Sequence, residues 1–216
     1  MVNQEPGTRD RILDAATRLF AEKGYGPTSI AEILRVAGAN SGSLYHFFPT
    51  KQDLLVAVLD RYLTGIGPML FEPTWRGVED PVERVFRLLA RYREYLISTG
   101  HLYGCPIGSI ALELHEPDPV VREKLAANFS AWTDAVERCF REAGDRLPAE
   151  VDARQLAAFT LSVMEGAVMQ ARTQRGIEPF DASVARLRDY IARLEKSAAS
   201  GPLKKLQERF ARSPGI

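Results

Sequence analysis

The 216-residue chain predicts an all-α fold. Apolar residues recur at three- and four-residue spacing in one segment after another. Gly and Pro breakers fall at helix-length intervals, and no segment alternates apolar and polar residues as a half-buried strand does. A chain of this length can bury a sizeable core and carry one or two domains.

The first helix is expected over residues 9–23, capped by Thr8 and closed by Gly24, with Ile12, Ala15, Ala16, Leu19 and Phe20 as its stripe. A breaker-rich loop, Gly24-Tyr25-Gly26-Pro27, leads into residues 28–51, TSIAEILRVAGANSGSLYHFFPTK. These read as two short helices around a tight turn. The first, over 29–37, carries Ile30, Ile33, Leu34 and Ala37 on one face. Ser29 and Glu32 have capping-box spacing, and Thr28 is a rival cap. Gly38 supplies a positive φ at the turn, and Asn40 caps the second helix. In that helix Leu44, Phe47 and Phe48 face inward, Pro49 ends the run, and Gly42, Ser43, Tyr45 and His46 point out. Small residues allow a helix to approach a major groove, and Tyr and His donate to phosphates. Thr50 and Asp53 cap a further helix over 51–64, with Leu54, Leu55, Val58 and Leu59 inward. Lys51 in its first turn opposes the helix dipole, a placement that fits either an external anion such as phosphate or an ordinary solvated lysine, the latter being favoured on the local sequence alone.

This order of helix, Gly turn and Leu-Tyr-His-Phe-Phe-Pro-Thr-Lys resembles the DNA-binding motif of the tetracycline-repressor (TetR) family. The matching places are Thr28, Ile33, Ala37-Gly38, Asn40, Gly42, Leu44-Tyr45, Phe48, Lys51 and Leu54-Leu55, and the resemblance is dense over residues 9–59. Ser41 stands where many relatives carry Lys, which weakens or removes one contact to DNA. The resemblance implies a dimeric regulator, read here as a repressor that a small apolar ligand releases from a pseudo-palindromic operator. Its DNA-binding residues would be Thr28, Asn40, Ser41, Gly42, Ser43, Tyr45, His46 and Lys51. Thr28, Tyr45, His46 and Lys51 are assigned to phosphates, and Gly42 and Ser43 to base edges. The competing reading is a small-molecule-binding helical protein that does not bind DNA.

Beyond the motif, Gly65-Ile66-Gly67-Pro68 is expected to break the helix, and 71–80 to be an irregular connector. A helix over 81–98 carries Val82, Val85, Phe86, Leu89, Tyr92 and Leu96 on one side. Residues 104–109, Gly-Cys-Pro-Ile-Gly-Ser, form a loop before a short apolar helix over 110–114. A similar segment occurs in a TetR branch that includes multidrug-efflux and flavonoid-responsive repressors. Pro119 opens a long helix to 143, and Asp152 caps another through 175. The run 156–169 in that helix is apolar or small nearly all round, so a partner subunit is its simplest second cover. Asp181 caps a last helix through 196, and a homodimer is expected through 153–175 and 181–196. The expected division is 1–53 for DNA binding, 54–197 for ligand binding and dimerisation, and 198–216 as a mobile basic tail.

Phe86, Tyr92, Tyr95, Cys105, Phe129 and Trp132 are the candidate ligand-binding residues. No spacing of His, Cys and Glu fits a zinc pattern, no enzyme motif is present, and no metal or cofactor is expected. Residues 1–63 hold 7 basic and 7 acidic side chains, 64–185 hold 13 and 18, and 186–216 hold 8 and 3. A neutral reading head makes few phosphate contacts per subunit, so dimerisation would be needed to double them. The N-terminus lacks the apolar centre of a signal peptide, and no run of about 18 uncharged apolar residues is present. A cytoplasmic protein with no membrane partner and reduced thiols at Cys105 and Cys139 is expected.

Overall fold

A computed structural model describes residues 7–211, with side chains through Gly201, and these residues contain helices and no strand. Helix α1 (Thr8–Lys23) starts one residue before its expected bound. Gly7 holds the N-cap position, and no side chain caps the helix. The Thr8 hydroxyl instead accepts from the Arg11 guanidinium at 3.3 Å. Helix α2 (Ile30–Ala37) is capped by Ser29, whose Oγ accepts from Glu32 N, and closed by Gly38 at φ 58°. Helix α3 (Ser41–Phe47) is capped by Asn40, whose Oδ1 accepts from Ser43 N at 2.8 Å. Helix α4 (Lys51–Ile66) begins with both bonds of the Thr50–Asp53 capping box. Phe48 and Leu44 are buried as the pattern requires, but Phe47 is exposed and stacks edge-on against His46.

The expected break at Gly65–Pro68 does not occur. The chain passes from α4 through a π-helical stretch, Gly67–Phe71, into α5 (Glu72–Trp75). Glu72 N donates to Gly67 O, five residues back, and this wide turn absorbs a proline that has no N–H to offer. The run Lys51–Trp75 is therefore long and apolar enough to cross a membrane by length and composition, against expectation. Leu54, Leu55, Val58, Leu59 and Phe71 are buried against other helices, and the remaining residues of the run are partly or fully exposed.

Helix α6 (Pro81–Ser98) is capped by Asp80 and has proline in its first turn. Helix α7 (Pro106–Glu113) takes in most of the stretch expected to be a loop, with Cys105 at its N-cap position. Helices α8 (Pro119–Glu142) and α9 (Ala153–Gln174) follow their predicted courses. Helix α10 (Glu178–Ala211) does not: it starts before Asp181 and runs past 196. The stretch expected as a mobile tail is thus helical to Ala211, and residues 212–216 lie outside those described.

Two apolar clusters organise the packing. One joins α1–α4 with Cys105, Ile107, Ile110, Val121 and Leu125, so the reading head is seated on α7 and the start of α8. The other joins α6, α8, α9 and α10 around Phe86, Trp132, Met164, Phe180 and Ile191. The packing thus divides later than residue 53, because α4 lies with the first cluster through Leu59. Helix α9 is also less symmetrical than its composition. Leu156, Ala157, Thr160, Met164, Ala167 and Ala171 are buried within the subunit, whereas Ala158, Phe159, Ser162 and Met169 are exposed.

Candidate DNA-reading face and interior cavity

The outer face of α3 is built by its own caps. Asn40 holds the first turn through its bond to Ser43 N, so its side chain is committed to positioning the helix. Leu44 is fully buried and Phe48 nearly so, which fixes the rotation of α3 on the bundle. Ser41, Gly42, Tyr45 and His46 are then exposed, with Ser43 half-buried beside them. Tyr45, at 51% relative exposure, extends furthest into solvent among the apolar-bodied residues of this helix.

Thr28 and Lys51 are placed otherwise than the sequence suggests. Thr28 is completely buried, and its hydroxyl donates toward Gly24 O at 2.7 Å with Leu19 O at 3.3 Å. It closes the loop between α1 and α2 from the inside and cannot reach a phosphate in this arrangement. Lys51 turns back onto the same loop. Its Nζ donates to Tyr25 O at 2.6 Å and to Gly26 O at 3.2 Å, and sits 4.3 Å over the Tyr25 ring. Burial lowers its pKa, and the Glu113 carboxylate acts in the opposite direction. A lysine so engaged is first a loop clamp, not a free phosphate ligand.

Glu113 completes the clamp, and sequence reasoning missed it. From the last residue of α7 its carboxylate accepts from Tyr25 N at 2.8 Å and from Gly26 N. The loop is thus held by an anion on its N–H groups and a cation on its carbonyls. The glycines are the available signal. A Cβ at either Gly24 or Gly26 would lie 2.7 Å from a Glu113 oxygen, and Gly24 also has φ 92°. Nothing in the local sequence says that the carboxylate comes from 88 residues away.

Thr28→Val should remove the buried hydroxyl and leave its carbonyl partners unsatisfied, at a cost of about 1–3 kcal/mol. Urea unfolding would measure the change. A variant as stable as the parent would remove Thr28 from the structural account.

The second feature is a cavity of about 270 Å³ among α4, α6, α7, α8 and α9. Tyr62, Tyr92, Cys105, Phe129, Trp132 and Glu165 are among its lining residues. Four of the six predicted ligand residues therefore converge there. Phe86 is instead core, with the Arg188 guanidinium 3.8 Å over its ring, and Tyr95 is 42% exposed and outside the cavity. A larger, more open groove of about 520 Å³ shares Cys105, Phe129 and Glu165 with the cavity and is bordered by His101 and Arg172.

The cavity is polar at a few defined atoms. Asn128 and Trp132 are buried, and Asn128 Oδ1, Trp132 Nε1 and Glu165 Oε1 lack hydrogen-bond partners. Asn128 Nδ2 is used, donating to Leu59 O and Lys124 O. The Cys105 thiol lies beside the Glu165 carboxylate, and its Sγ accepts from Gly108 N at 3.5 Å. Burial, then the nearby Glu165 charge, pushes the Cys105 thiol well above its ordinary range, which opposes thiolate chemistry. Cys139 is likewise raised by burial, to about 11. Burial also raises Glu165, and the neighbouring Cys105 thiol partly offsets it. No cluster of metal-ligating side chains occurs among the described residues.

Residues 12–58 match the family model described as bacterial regulatory proteins, tetR family. Residues 81–186 match that of the transcriptional regulator LmrA/YxaF-like C-terminal domain. An uncharacterized HTH-type transcriptional regulator of Mycobacterium tuberculosis is 31% identical over 192 residues, spanning 86% of this chain and 94% of that protein. The HTH-type transcriptional repressor DhaR of a Mycobacterium species is 26% identical over 175 residues, spanning 80% of this chain and 86% of that protein. The crystal structure of regulatory protein TetR from Rhodobacter sphaeroides superposes with a TM-score of 0.76 at 25% identity, covering 83% of this chain and 96% of that one. The chain belongs to the TetR family and is a helix-turn-helix transcriptional regulator.

Proposed function

We propose that the protein is a cytoplasmic, homodimeric repressor that leaves a pseudo-palindromic operator when a small, largely apolar molecule fills the cavity between its helices. The observation that carries this reading is the connection between cavity and reading head. Cys105, in the cavity wall, begins α7, and Glu113, at the other end of that short helix, holds the loop that precedes α2 and α3. A ligand that shifts α7 would move the clamp on the reading head. Helix α4 is the second lever, since it follows α3 directly and lines the cavity through Tyr62 and Ile66. A regulatory role, not catalysis, is the one these connections serve.

DNA contact is assigned to Ser41, Gly42, Ser43, Tyr45 and His46 on α3, with Lys51 as a phosphate ligand only if it leaves its clamp. Two copies of α3 would enter successive major grooves roughly one helical turn apart. Dimerisation is assigned to the exposed stripe of Ala158, Phe159, Ser162 and Met169 on α9 together with Tyr190 on α10, which meets Phe159 edge-on at 5.9 Å. Ala157 and Ala167 are used within the subunit and do not belong to that stripe.

A salt-dependent mobility shift on the DNA upstream of the gene is the test of the DNA-binding role. Failure to shift that DNA, with the protein folded and dimeric, would favour the ligand-binding reading without DNA. Within the assay, Tyr45→Phe should weaken all duplexes about equally, because a phosphate donor carries no sequence information. A change in sequence preference at unchanged overall affinity would reassign Tyr45 to base reading.

A further inference from the structure

The unpartnered atoms of the cavity define the chemistry of its occupant more narrowly than apolar. Glu165 and Asn128 both present hydrogen-bond acceptors without partners, from α9 and α8 respectively. Asn128 cannot be turned to offer its donor, because Nδ2 is held by two carbonyls, at 3.0 Å from Leu59 O and 2.9 Å from Lys124 O. Trp132 Nε1 sits beside the Tyr92 hydroxyl without reaching full hydrogen-bond geometry. It serves that edge of the wall. The remaining polar demand of the cavity is therefore for a donor.

Charge points the same way. Arg61 is the basic residue among those described around the cavity, and it is already paired with Asp14. In the adjoining groove Arg172 is engaged with Leu102 O and Ser109 Oγ, and no ion pair to Glu165 occurs among the described residues. The rings of Tyr62, Tyr92, Phe129 and Trp132 line the same cavity. A carboxylate in an aromatic-lined cavity suits an ammonium group, since the rings' negative faces and the carboxylate attract the same charge. A half-buried carboxylate with no cation beside it is costly to ionise, and a bound cation offsets that cost where a neutral ligand does not.

Resting on the cavity as the effector site, we infer that the ligand is a compact monocationic amine carrying an apolar or aromatic body. Its ammonium N–H is received by Glu165, Asn128 Oδ1 is open to a second N–H where the ligand carries one, and its body is covered by the aromatic wall. At about 270 Å³ the space lies just under the usual range for drug-sized ligands, which favours a single-ring molecule over a fused polycycle.

The test uses the full chain without DNA and three probes of one shape by calorimetric or ligand-observed NMR titration. N,N-dimethylbenzylamine is cationic at neutral pH, isobutylbenzene is its neutral isostere, and phenylacetate reverses the charge. The amine should bind at least about tenfold more tightly than isobutylbenzene, and phenylacetate more weakly than either, the discrimination expected of one charged contact. Glu165→Gln should bring the amine-to-hydrocarbon ratio close to one while leaving the hydrocarbon's affinity in place. Equal affinities in the parent protein, a preference for phenylacetate, no binding of the amine, or a Glu165→Gln variant that keeps the preference would each overturn the inference. The parent comparison stands even where the variant folds poorly. Operator binding is read separately. Glu165-dependent amine binding that leaves DNA affinity unchanged would sink the switch but not the ligand class. Release of DNA by isobutylbenzene alone would do the reverse.

Discussion

Phe159→Arg should convert the dimer to monomer at micromolar concentration and reduce operator affinity by roughly 10²–10⁴-fold, the gain that linking two weak half-site contacts provides. The side chain lies at 48% exposure on α9, packed on Tyr190 and otherwise facing outward from the subunit. The substitution should leave the monomer fold intact, since Phe159 lies outside the subunit's buried cluster. At the proposed four-helix interface, however, two copies of the same face meet, and a guanidinium there would be desolvated without a partner. Sedimentation velocity and DNA anisotropy, run on one sample, separate the outcomes. A dimeric Phe159→Arg protein with parental DNA affinity would place the interface elsewhere. Weak DNA binding by a variant that is still dimeric would mean that the substitution acts on the reading head instead.

The second large effect is expected at Glu113. Replacing it with alanine removes a charged acceptor from Tyr25 N and Gly26 N and leaves Lys51 alone on the loop carbonyls. Loss of these partly exposed bonds is worth about 1–2 kcal/mol. If that energy holds the loop in its DNA-competent form, operator affinity falls about 5–30-fold, because only the competent fraction binds. Hydrogen exchange at the Tyr25 and Gly26 amides should accelerate in parallel, while α9 amides should not change. Unchanged exchange and unchanged affinity together would show that α7 does not brace the reading head. Faster exchange without an affinity change would confine the clamp to stability.

The helix-turn-helix was legible in the sequence because its signals are local. Ser29, Asn40 and the Thr50–Asp53 pair each cap the helix that begins beside them, and Gly38 takes the left-handed turn its position requires. Leu44 and Phe48 give the rotation of α3, and so the exposed set follows. What failed was whatever depended on distant partners. Thr28 resembles a cap or a phosphate donor until Leu19 and Gly24 are seen to receive its hydroxyl. Lys51 looked free because the carbonyls it engages belong to a loop 25 and 26 residues away. Glu113 carried no local pattern at all. Local breaker rules also overreach at Gly67-Pro68, where a π-turn carries the helix on, and at Ser197–Gly201, through which α10 continues. For the cavity, aromatic composition found Tyr92, Phe129 and Trp132 but also drew in Phe86 and Tyr95, since composition does not tell a ring in the core from one in a cavity wall. Glu165 is hidden from sequence reasoning because it sits within a run of apolar and small residues whose composition points to an interface.

Two copies of α3 should read DNA as a symmetric pair. Selection from a random duplex library by the full chain, at about 0.15 M salt, tests it without any prior operator. The account predicts enrichment of a pseudo-palindrome whose half-sites lie roughly one helical turn or slightly more apart. A Ser43 variant should shift base preference within the half-sites, and the Phe159→Arg protein should fail to enrich the pair. Enrichment of a single unpaired half-site by the dimeric parent protein, or of no sequence at all, would contradict it.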